Sequence, residues 1–195
     1  TSILLKSSDI PSFIDADKDG DIDFFTFDDL GGAYLWYFKN FSQEIGGTAD
    51  SMNFDMVDSY WGYFMEADNS HMVVLGAISA FAYKDYRIMM PGLKRHAGST
   101  VFVNDMNGDG DLDLLVGDVS YPSMSSLKNG LKDSMPRYDS IIAQDTIFPA
   151  SKPVNIHNMP GVFNIDVNND GIKDFVFSPM DESLIDNKYV DGLRQ

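Results

Sequence analysis

Cysteine is absent from the 195 residues. Disulfides, thiolate metal sites and a cysteine nucleophile are therefore excluded. Basic residues are scarce, with 14 Lys and Arg against 30 Asp and Glu and a formal net charge of −16. Nucleic acid is not expected as a partner, because phosphate binding needs Lys and Arg clusters that are missing. The same balance argues against adhesion to an anionic membrane surface. No stretch approaches the roughly 18 apolar residues of a membrane span. Histidine occurs only as His71, His96 and His157, with no zinc-type spacing. The G-x-S-x-G elbow, the Walker A loop and G-x-G-x-x-G are also missing. Thr1-Ser2-Ile3-Leu4-Leu5-Lys6 has neither a starting Met nor a signal-peptide layout, so a mature product or a piece of a longer chain is expected.

What is present is a folded composition, 44% hydrophobic and 13% aromatic, and a length that suits one domain with a real core. Three segments repeat. They are Asp15-Ala-Asp-Lys-Asp-Gly-Asp-Ile-Asp23, Asp105-Met-Asn-Gly-Asp-Gly-Asp-Leu-Asp113 and Asp166-Val-Asn-Asn-Asp-Gly-Ile-Lys-Asp174. All read D-x-[DN]-x-D-G-x-x-D. Each lies between two short apolar runs, such as Val101-Phe102-Val103 and Leu114-Leu115-Val116. The unit is strand, acidic loop, strand.

This pattern suits Ca²⁺, which takes six to eight oxygens at roughly 2.3–2.6 Å. Alternate residues of a tight loop can share one ion. Those at positions 1, 3 and 5 are Asp15, Asp17 and Asp19, then Asp105, Asn107 and Asp109, then Asp166, Asn168 and Asp170. Position 6 is Gly20, Gly110 and Gly171, where the chain turns sharply. Position 7, Asp21, Asp111 and Ile172, offers its backbone carbonyl, which explains why Ile is tolerated. Position 9, Asp23, Asp113 and Asp174, is expected to close the shell. An EF-hand would need a bidentate Glu at position 12 and helical flanks. Thr26, Val116 and Phe177 stand there, and the flanks are β-prone. A plain acidic Asx-turn without metal is the bland alternative, and threefold repetition argues against it. Clustered carboxylates repel one another, so the loops themselves ask for a cation.

The second and third loops start 61 residues apart and the first two 90 apart. A four-stranded propeller blade takes about 40–50 residues. The longer step suits two blades, or one blade with an insertion, and two are favoured. Tyr34-Leu-Trp-Tyr-Phe38 is β-prone, and Tyr60 to Met65 with His71 to Leu75 predicts a hairpin. Ala77 to Tyr86 fits strand or short helix. Segment 120–160, rich in Ser, Pro, Asn and Met, predicts loops between short strands. Asn40-Phe41-Ser42 matches a glycosylation sequon, a pattern common by chance. Trp36 and Trp61 invite a sugar-stacking reading, against a commoner role as filler between blades.

Strand, D-x-[DN]-x-D-G-x-x-D, strand resembles the FG-GAP or VCBS repeat of β-propellers. Trp36-Tyr-Phe-Lys-Asn40 with Glu44, Tyr60 to Glu66, Arg95 to Thr100, Leu115 to Ser120 and Gln144 to Pro149 resemble the large secreted VCBS-type proteins of the bacterial type IX export system. The resemblance implies an all-β fold: a partial β-propeller of three to four blades, approximately 1–50, 51–97, 98–158 and 159–195. A complete ring usually has about seven blades, within the usual range. The expected sorting domain is missing, and Val190 to Gln195 reads as a cut. The implied ions are three structural Ca²⁺. The implied protein is a secreted or surface adhesion module that binds a protein or glycan and meets the secretion machinery as cargo. The alternative is a propeller-scaffold lyase or hydrolase acting on polysaccharide.

Overall fold

The computed structural model of the chain describes residues 5, 9–28, 32–48, 51–67, 70–76, 98–130, 139–156 and 159–179. Ala77 to Tyr86, His96, His157 and the end of the chain lie outside the described residues. Among the described residues are twelve β-strands, all the regular pairing is antiparallel, and there is no helix. The expectation of an all-β chain therefore holds for them.

Strands β1 (Ser12–Ile14), β2 (Asp23–Phe27), β3 (Leu35–Asn40) and β4 (Phe54–Asp58) form one four-stranded sheet in chain order. The first unit thus runs to Asp58, past the boundary at residue 50. The hairpin β5 (Phe64–Glu66) and β6 (Val73–Leu75) follows. It is shorter than the sequence suggests, because Gly62 and Tyr63 turn the chain with φ of 79° and 48°. Strands β7 (Ser99–Asn104), β8 (Asp113–Asp118), β9 (Tyr121–Asn129) and β10 (Ile141–Phe148) form the second four-stranded sheet, again in chain order. β11 (Gly161–Ile165) and β12 (Asp174–Ser178) pair with each other.

Segment 120–160 departs from expectation. β9 and β10 are the longest strands described, at 9 and 8 residues. Ser, Pro and Met have weak strand preference, but tertiary packing overrides it. Met124 and Leu127 are fully buried against neighbouring strands.

β2 and β8 are buried along their whole length, which fits the apolar runs Phe24-Phe25-Thr26-Phe27 and Leu114-Leu115-Val116 within them. One face of each contributes to a shared core. Phe25, Phe27 and Leu35 meet Val101, Val103, Leu114, Val116 and Leu127, with Trp61 and Phe64 wedged between. Phe25 stacks on Tyr37 at 4.6 Å and meets Trp61 edge-on at 5.1 Å. Trp61 is 2% exposed, so it fills the core and is closed to a sugar. On its other face the second sheet presents Leu115 and Met124 to Phe177, Phe175 and Val162. The first strands also meet: Ile10, just before β1, bridges Thr100 of β7 in parallel, and Ser12 Oγ accepts the Val103 N–H at 2.9 Å.

Candidate metal-binding loops

Each acidic segment is the connection between the first and second strands of its sheet: β1 to β2, β7 to β8, and β11 to β12. One hydrogen-bond pattern builds all three. The position 6 N–H donates to the position 1 carboxylate: Gly20 to Asp15 at 3.1 Å, Gly110 to Asp105 at 2.9 Å and Gly171 to Asp166 at 2.8 Å. The position 5 N–H donates to the position 3 side chain, at Asp17, Asn107 and Asn168. The position 7 N–H of Asp21, Asp111 and Ile172 donates to Oδ1 of Asp19, Asp109 and Asp170. These are local Asx-type bonds between near neighbours, so short-range sequence is enough to wind the loop.

Glycine at position 6 is required by φ of 99°, 93° and 88° at Gly20, Gly110 and Gly171. Position 4 is also left-handed, with φ of 66° at Lys18, 79° at Gly108 and 60° at Asn169. Sequence reading missed this. The signal was there in Gly and Asn, the residues that tolerate that region, and only Lys18 hides it.

Position 9 is a brace. Oδ2 of Asp23, Asp113 and Asp174 accepts the position 2 N–H of Ala16, Met106 and Val167 at 3.0, 3.3 and 3.2 Å. In the first two loops Oδ1 takes a second N–H from the end of the third strand, Asn40 at 2.8 Å and Asn129 at 2.9 Å. Burial pushes the Asp23 and Asp113 carboxyls up, and these N–H groups pull them back toward the ionised form.

Asn40 and Asn129 are almost wholly buried, and sequence reading assigned neither a role beside the acidic loops, marking Asn40 only in a sequon and in the Trp36–Asn40 stretch. Oδ1 of Asn40 accepts the N–H groups of Ser42 and Asn53, and Oδ1 of Asn129 accepts that of Ser140. Each asparagine therefore ties its acidic loop to the connection beyond its third strand. The repeated pair Lys39-Asn40 and Lys128-Asn129 was the available signal. Asn40 is 2% exposed and its Nδ2 donates to Ser51 O at 2.9 Å, so the folded chain does not present this sequon's amide to solvent.

In the first loop, Asp15, Asp17 and Asp19 bring carboxylate oxygens within 4.8 Å of one another, an arrangement that could hold a metal ion. Asp19, Asp21 and Glu44 form a second such group. Oδ1 of Asp15 and Oδ1 of Asp21 are buried and take no hydrogen bond, so they suit a cation. Lys39 Nζ pairs with Asp17 and Glu44 and lies 3.3 Å from Asp19. Hydrogen bonds to Asp17 and then Glu44 hold its ammonium well above the usual lysine range. The backbone N–H of Asp21, helped by Lys39 and opposed by burial, holds Asp19 below the ordinary carboxylate range. In the other two loops Asn107 and Asn168 replace the middle carboxylate, leaving Asp105 with Asp109 and Asp166 with Asp170. Ile172 is 71% exposed, so only its backbone is available at position 7.

His71 sits apart from the loops. Its Nδ1 and Nε2 lie 3.0 Å from Ser123 Oγ and Ser125 Oγ, and its ring stacks on Tyr121 at 5.0 Å. It fastens the β6 hairpin to β9. Comparison of the chain with protein-family models, curated proteins and solved structures gives no match.

Proposed function

We propose that this chain is a calcium-stiffened piece of an FG-GAP or VCBS-type β-propeller, serving an exported bacterial surface or secreted protein as a binding or adhesion module. One observation carries the reading: the same acidic loop joins the first two strands in three of the four sheets described, and those three pack against one another by one rule. Phe25 and Leu115 stand at the same place after their loops, and each faces the next loop-bearing sheet. Leu114 and Phe175 stand one residue earlier, and each faces the preceding loop-bearing sheet. A step of this kind, repeated, would suit a ring of blades. The direct bridge between Ile10 and Thr100 favours one blade with an insertion across the 90-residue step.

Ca²⁺ is the proposed ion because the donors are oxygens from carboxylate, amide and backbone groups, with no sulfur or imidazole among them. Positions 1, 3 and 5 would hold the ion, with the position 7 carbonyl beside them. Position 9 would hold the loop in shape and close the shell around the ion. The ion supplies positive charge to carboxylates that otherwise repel. Partners would be a protein or glycan met by loops away from these sites.

The test is calorimetry in millimolar Ca²⁺ and in EGTA, since extracellular modules bind with Kd around 10⁻⁴–10⁻³ M. At ten to a hundred times Kd, each site adds about 1.4–2.7 kcal/mol. Asp109→Ala should lower the bound calcium by one ion. Superimposable melting curves in Ca²⁺ and EGTA would rule the reading out.

A further inference from the structure

We infer that Asp19, Asp21 and Glu44 form a second divalent-cation site beside the first loop, sharing Asp19 with the loop site. The inference rests on the loop reading through that shared residue. The three carboxylates come from two separate pieces of chain, the β1–β2 loop and the connection after β3, yet their oxygens lie within 4.8 Å of one another. Asp21 is fully buried. Its Oδ2 accepts the Gln43 N–H at 3.1 Å, while its Oδ1 is buried and takes no hydrogen bond. A buried carboxylate oxygen without a donor, on a side chain grouped with two other carboxylates, is unfavourable unless a cation joins them.

Lys39 does not fill it. Its ammonium pairs with Asp17, Asp19 and Glu44, and it makes no ion pair with Asp21. The cluster of Asp15, Asp17, Asp19, Asp21 and Glu44 carries five negative charges against this one positive charge. A single divalent ion leaves two charges uncompensated, and two ions balance the group.

Glu44 is held in place by its backbone. Asn40 Nδ2 donates to Ser51 O at 2.9 Å, its Oδ1 accepts from Ser42 and Asn53, and the Gly47 N–H donates to Ser42 O at 2.7 Å. These bonds fix the connection on both sides of Glu44 before any ion arrives. The donors are all carboxylate oxygens, which selects a hard cation of the Ca²⁺ or Mg²⁺ class. The third loop lacks this device, because an exposed Ile172 replaces Asp21.

The test counts ions on the full chain by equilibrium dialysis against Ca²⁺ and by titration calorimetry. The expected counts are four for the parent, three for Glu44→Gln, three for Asp109→Ala and two for the double variant. Asp21→Asn should repeat the Glu44→Gln loss. Lys39→Met removes a competing positive charge and should tighten binding at the cluster on the order of tenfold. A parent count of three that Glu44→Gln leaves at three overturns the second site and leaves the loop reading standing. Four ions retained in Glu44→Gln also overturns it. No bound Ca²⁺ in the parent overturns the loop reading itself.

Discussion

Asp113 separates bracing from metal binding. It is 2% exposed, with Oδ1 accepting the Asn129 N–H at 2.9 Å and Oδ2 the Met106 N–H at 3.3 Å. In Asp113→Ala both N–H groups lose their acceptor. Hydrogen bonds to a charged group contribute about 1.5–3 kcal/mol each. Part is offset because the carboxylate no longer has to stay ionised while buried, the cost that raises the Asp113 carboxyl. The net expectation is a loss of about 2–4 kcal/mol. For a chain of this size, about 3 kcal/mol lowers Tm by roughly 6–12 °C. The assay is urea and thermal unfolding in EDTA, where no ion can contribute. The same change at Asp174, whose bond to Val167 is exposed, should cost under about 1 kcal/mol. Equal stability of Asp113→Ala and the parent in EDTA would refute the brace and return position 9 to a purely metal-binding role.

Lys18→Gly should stabilise the protein by about 0.5–1 kcal/mol in chemical denaturation, because φ of 66° strains a side-chain-bearing residue. Gly117→Ala should cost about 1–3 kcal/mol, since a Cβ would lie 2.4 Å from Pro160 O and 2.5 Å from Thr100 Oγ1; unfolding midpoints check it. Burial lowers the pKa of His71 below its ordinary 6.5, with Asp118 opposing. The unfolded ring therefore takes the proton first, and stability is lost as pH falls through 6.5. His71→Gln should flatten the fall in Tm between about pH 7 and 5 relative to the parent.

The loops and the strands that flank them were legible in the residues alone. Asp, Asn and Gly at fixed offsets bond to backbone within a few residues, so their geometry is local and needs no distant partner. The sequence also marked β2 and β8 as strands from their short apolar runs, Phe24-Phe25-Thr26-Phe27 and Leu114-Leu115-Val116. Tertiary structure decided the rest. β9 and β10 became long strands because the sheet supplied partners that serine and proline do not ask for locally. The burial of Asn40 and Asn129, and the meeting of Glu44 with Asp19 and Asp21, depend on the pairing of consecutive strands, which brings together residues some 10 to 25 positions apart. A carboxylate pattern can announce that a cation is wanted, but only the packed chain decides which further carboxylate is brought within reach of it.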